Sequence, residues 1–158
     1  MMQTTAAMSV RKRLTDLLAI ELPDFQISYG QPDTDYMQHR AMWCYGVEGA
    51  QYPNAKGATR VRRREDLSFS WTIGVLVEGA TLQEEADEIA LRAFAVAENT
   101  LAANPRLTAP TDEHGELTGP DLGVAAVSIG EWELSGGQHD RGRVAVLDFT
   151  VDVMARLA

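Results

Sequence analysis

Disulfide chemistry is the first thing this chain of 158 residues does without, because Cys44 is its single cysteine. No intramolecular bridge can form, and a small secreted fold stapled by bridges is excluded. Histidine is almost as scarce. His39, His114 and His139 are scattered, no two stand at the i, i+4 spacing of a zinc helix, and no tetrahedral ligand set is visible. The acids at Asp33 and Asp35, and those at Asp112, Glu113 and Glu116, lack the full ladder of a calcium loop. Nothing approaches the roughly 18 apolar residues that span a bilayer, and residues 1–8 lack a basic segment followed by an apolar run. The expectation is a soluble, unprocessed protein with no membrane partner. Excess positive charge is missing too: 14 Lys and Arg stand against 23 Asp and Glu, a net charge of -9 that rules out a general nucleic-acid binder.

Catalytic and nucleotide signatures are equally absent. There is no Gly-x-Ser-x-Gly elbow, no Gly-Lys-Ser/Thr loop and no Gly-x-Gly-x-x-Gly turn. The one stretch with chemical promise is 136–142, where His139 stands beside Asp140 among glycines. Adjacent residues of a turn point different ways and no nucleophile lies beside them, so the stretch is expected to be a hairpin tip. No enzyme activity and no cofactor are expected.

What is present is a strong pattern of elements. Leu67, Phe69, Trp71, Ile73, Val75 and Val77 alternate with mostly polar residues, the period of two that places an apolar row on one sheet face. After the turn at Gly79, the residues Leu82, Ala86, Ile89, Ala90, Ala93, Phe94, Ala97 and Leu101 recur at threes and fours, which predicts a long helix across that row. Thr81 with Glu84 matches a capping box at its start, and Pro105 ends it. Val10, Leu14, Leu17 and Leu18 predict a short opening helix that stops before Pro23. A brief strand follows at 25–29, and another at 42–47 with Trp43, Tyr45 and Val47 on one face. Toward the end, 123–134 predicts a strand whose phase changes at Gly130, as a bulge would make it. Residues 135–142 should turn into a closing strand in which Ala145, Leu147, Phe149, Val151, Val153 and Ala155 face the core.

These elements predict a single α+β domain over 1–158. Its mainly antiparallel twisted sheet of about five strands should carry the long helix and the short N-terminal helix on one face. A long mobile loop is expected at 49–60 and an exposed loop at 106–121.

Charge is unevenly spread along this scaffold. Residues 1–77 hold nine cations and eight acids, whereas 78–158 hold five and fifteen. Lys56, Arg60, Arg62, Arg63 and Arg64 put five positive charges within nine residues at the end of the first long loop. A solvated hairpin end and an interface patch meeting acids of another chain both fit them. Asymmetry of this kind suits head-to-tail association.

The layout as a whole resembles the tail terminator (tail completion) proteins of long-tailed phages and related prophages. The resemblance is carried by Leu14-Thr15-Asp16-Leu17-Leu18 in the opening helix, the aromatic strand Met42-Trp43-Cys44-Tyr45-Gly46-Val47, and the long basic-ended loop. The strand at 67–78, the helix with Ala93-Phe94-Ala95 and the closing Val- and Asp-rich strand at 144–154 complete it. It implies a structural virion protein of the tail neck, assembled in the bacterial host cytoplasm. There it would form a homo-oligomeric ring, a hexamer, that caps the tail tube, ends its polymerisation and provides the head-docking surface. The implied partners are further copies of the chain, the major tail tube protein and the head–tail connector protein, with DNA passing through the bore without sequence-specific contact. A head–tail connector or other neck protein is the neighbouring alternative. A cytoplasmic small-molecule binding domain or enzyme, with a pocket lined by Trp43, Trp71 and Trp132, is the alternative from a different class.

Overall fold

The long alternating strand is the axis of the sheet, and it is longer than its apolar row. In the computed structural model, which describes residues 5–34, 37–52, 63–109, 112–116 and 118–157, the elements run α1 (Ala7–Glu21), β1 (Gln26–Ser28), β2 (Arg40–Tyr52), β3 (Arg63–Glu78), α2 (Gln83–Ala103), β4 (Val124–His139) and β5 (Gly142–Leu157). The sheet order is β1-β2-β3-β5-β4. β3 is antiparallel to β2 and to β5, β5 is antiparallel to β4, and only β1 and β2 pair in parallel. β4 therefore runs in the direction of β3, and β5 fills the place between them that the α2 crossover leaves open.

The expected α+β architecture is what forms. Both helices pack on one face of the sheet and the core lies between. Leu67, Phe69, Trp71, Ile73 and Val75 of β3 are buried, as are Leu147, Phe149, Val151 and Val153 of β5, and Ala86, Ala90, Ala93, Phe94, Ala97 and Leu101 of α2 lie over them. The alanines let the helix approach closely, and Phe94 fills the space that remains. Its ring meets Phe149 edge-on at 5.3 Å and Trp132 at 5.8 Å. From α1, Val10, Leu14, Leu17 and Leu18 close the other half of the core.

Several expectations need correction. α2 begins at Gln83, with Leu82 extended before it and no side-chain cap, so Thr81 and Glu84 form no capping box. Gln83 instead ties the helix start to the sheet by donating to the Val144 carbonyl at 2.8 Å, and Glu84 and Glu85 place negative charge on the first turn, where the helix dipole favours it. The stretch 135–142 is mostly strand: β4 and β5 stay paired out to His139 and Gly142, leaving Asp140 and Arg141 as the turn. The bulge at Gly130 is present as a register shift between Ile129 and Trp132.

Neither predicted stretch is an exposed loop over its whole span. Residues 49–52 are strand, paired with β3 down to Tyr52 opposite Arg64, and 53–60 lie outside the described residues. Within 106–121, residues Asp112 to Glu116 are exposed but Leu107 and Ala109 are buried. The reason is Arg13. Its guanidinium, buried beneath this segment, donates to the Leu107 carbonyl at 2.6 Å and to the Pro120 carbonyl at 3.1 Å, pinning both ends of the loop to α1.

Candidate assembly face

With both helices on one side, the other face of the sheet is bare among the described residues, and the strand period decides what it displays. Register aligns Trp43, Thr72, Asp148 and Glu133 in one row across the four long strands. Glu48, Ser68, Asp152 and Ser128 form another, and Ala50, Asp66, Met154 and Ala126 a third. The last two rows floor a shallow groove of about 470 Å³. Five carboxylates thus share this face. Asp148 accepts a 2.6 Å hydrogen bond from the Thr72 hydroxyl, which fixes it without neutralising it. The surface is hydroxyl-rich and negative, and well suited to staying hydrated.

At one end of the sheet stand Arg63 and Arg64, the described residues of the basic stretch singled out in the sequence. Lys56, Arg60 and Arg62 lie outside the described residues. Arg63 and Arg64 open β3 and, as strand neighbours, project to opposite faces. Arg63 donates to the Gln51 side chain at 3.4 Å. Arg64 lies over the Tyr52 ring and grips both oxygens of Asp66 at 3.0 Å, with its side chain still 56% exposed. The charge is therefore partly balanced within the chain and remains accessible to a partner.

Glu65 was not singled out in the sequence. It is buried on the helix side, where one carboxylate oxygen accepts the Ala6 N–H at 2.8 Å and the other accepts the Gln51 amide at 2.9 Å. The N-cap Ala6 has no side chain to cap α1, Thr5 accepts the Ala7 N–H at 3.1 Å, and the first turn holds no acid, so Glu65 supplies the anion at the helix N-terminus from the sheet. The signal was available: Glu65 continues the odd-numbered phase of the apolar row by one step.

The alternative pocket of three tryptophans does not form. Trp71 is fully buried in the core, Trp43 lies on the open face over Gly74, and Trp132 sits on the helix side at the β4 edge, 55% exposed. At the hairpin turn the His139 Nδ1 accepts the Arg141 N–H at 3.2 Å, and His39 faces Glu78 at 3.5 Å. Burial raises the Cys44 thiol above its ordinary pKa, and the thiol donates to the Gly46 carbonyl, which leaves it protonated and enclosed. Among the described residues, no group of three or more His, Cys, Asp or Glu side chains is placed to hold a metal ion.

No family model matches the chain, and no curated protein matches it. Among solved structures, it is similar to a chain of the "Virion of native gene transfer agent (GTA) particle", with 9% identity, a TM-score of 0.42, and coverage of 94% of this chain and 91% of that one.

Proposed function

We propose that this chain is a structural virion protein of the tail-terminator kind, a non-enzymatic subunit that closes into a ring on the finished tail tube, stops its growth and presents the surface on which the head docks. The observation that carries this reading is the one-sided sheet. Helices cover one face, while the other is broad, bare among the described residues and lined by Glu48, Asp66, Glu133, Asp148 and Asp152. Arranged around a ring with that face inward, the carboxylates repel the phosphate backbone and keep passing DNA from sticking to the wall. The helices then face outward.

The basic stretch Lys56, Arg60, Arg62, Arg63 and Arg64 serves in this reading as a contact to the next subunit or to the tail tube. The ring is a hexamer, its other partners are the major tail tube protein and the head–tail connector, and it resides in the tail neck after assembly in the bacterial cytoplasm. These finer points rest on the resemblance in layout described above. Purified protein added to tails that lack their terminal ring tests the reading: negative-stain images should show rings at the head-proximal tube end and should regain head joining. Rings bound to the head portal and not to free tubes would assign the connector role instead.

A further inference from the structure

One core row runs across the sheet in register as Cys44, Trp71, Phe149 and Trp132. Its first three members are buried, and the last is more than half exposed. The row is cut off because the sheet ends there. β4 pairs with β5, and 132–138 has no other backbone partner among the described residues. Open edges invite pairing and are normally blunted by shortness, proline, lysine or a bulge. β1, at the opposite edge, is three residues long. β4 contains neither proline nor lysine, and its bulge ends at Trp132, after which it pairs with β5 without a shift to His139. Every second residue of this regular stretch points its backbone N–H and C=O away from β5.

The side chains beside this edge are apolar on the helix side and acidic around it. Trp132 packs on Phe94, and Leu134, level with Leu147, is half-buried against the core. Asp87, Leu91, Phe94 and Glu98 follow at spacings of four, three and four, so they form one stripe of α2, and the Phe94 contact turns that stripe toward β4. Leu91 is 39% exposed on it. Trp132, Leu134 and Leu91 therefore make an apolar ledge next to the edge, with Asp87 and Glu98 on its helix flank. Glu133 lies on the open side by strand alternation, and Glu131 stands at the bulge. Arg92, the one cation of α2, pairs with Glu88 at 2.7 Å and stands toward α1, beside Ile89 and Phe25.

A strand laid along this edge places alternate side chains on the ledge and beside Glu133. Apolar residues alternating with Lys or Arg satisfy both. A second copy pairing β4 with β4 does not, because it sets Glu131 and Glu133 of one copy against the same acids of the other. We propose that 132–138 is a docking edge that takes an extended segment of another protein, its apolar residues alternating with Lys or Arg, as a sixth strand of the sheet. In strand addition the main chain supplies affinity and the alternating side chains supply selection. Arg63 and Arg64 pair with Leu157 and Arg156, at the far end of β5 from the residues 143–149 that back this edge. The docking edge is thus separate from the basic stretch and does not depend on the proposed ring.

Two short peptides, acetylated and amidated, serve as probes: one alternates Val with Lys and the other alternates Val with Glu. Hydrogen exchange of the full chain, read by mass spectrometry, should slow within 132–138 when the Lys peptide is added and stay unchanged with the Glu peptide. Anisotropy of the labelled peptides measures binding. Glu133→Lys, an exposed change that leaves the core untouched, should weaken the Lys peptide roughly tenfold and let the Glu peptide bind. Equal binding of both peptides by the parent protein, protection placed outside 132–138, or no binding of the Lys peptide would overturn the docking edge and leave the ring reading standing. Protection of 132–138 that rises with protein concentration alone would overturn it as well, since a second copy would then hold the edge.

Discussion

On the helix side of the sheet, Phe69, Trp71, Ile73 and Phe149 meet Phe94 and the alanines of α2 with almost no surface left to water, whereas on the other side Ser68, Ser70, Thr72, Asp148 and Asp152 lie under no helix. The same two strands supply both surfaces. Their odd positions make the domain fold, and their even positions are free of that duty. Stability should therefore respond to one face, and assembly or DNA behaviour to the other. Each substitution below tests that division.

The largest effect belongs to the covered face. Phe94→Ala removes the ring that touches Phe149 and Trp132 and leaves a cavity beneath α2, at an expected cost of about 3–5 kcal/mol. Urea unfolding measures it, and an unchanged midpoint would mean that α2 does not close the core. Next comes Arg13→Met. It keeps apolar bulk but abandons two carbonyls now held by a buried guanidinium, and should cost roughly 2–4 kcal/mol. Limited proteolysis should then cut within 112–116 faster than in the parent protein.

The bare face should behave differently. Glu48→Gln with Asp152→Asn should change stability by less than about 0.5 kcal/mol, because neither acid is buried. The same double variant should retain duplex DNA more strongly at low salt, as a filter-binding titration would show. A large loss of stability with no change in DNA retention would reverse the assignment of the two faces. Smallest of all, His139→Ala and Asp140→Ala should leave folding and tail completion unchanged, since both sit at the exposed tip of the β4–β5 hairpin.

The covered face was the legible part of the sequence. Period-two rows at 67–77 and 145–155 and the helical stripe at 86–101 lie where the periodicity puts them, and the phase change at Gly130 did mark a bulge. Ends were harder to read. Strands β2 and β4 run past the residues with apolar signal because pairing with a long neighbour extends a strand whether or not its own side chains are buried. The helix start at Gln83 escaped because a capping-box spacing says nothing of the sheet carbonyl that Gln83 reaches. Arg13 and Glu65 are the clearest misses. Each is a charged residue held in place by at least one partner 59 or more positions away along the chain, a contact that no local pattern encodes. The basic stretch was visible as composition, but its two described arginines split between faces, and the strand phase that decides this depended on where β3 begins.

Assembly through charge at the hairpin end is the claim on which the functional account turns, and light scattering on a sizing column tests it most directly. The parent protein should elute as a closed oligomer in dilute salt and lose mass near 1 M salt, where the screening length shrinks to about 3 Å. Arg62→Glu combined with Arg64→Glu should elute as a folded monomer under both conditions, because charge reversal turns a steering contact into a repulsive one. A double variant that assembles like its parent in dilute salt would contradict the account.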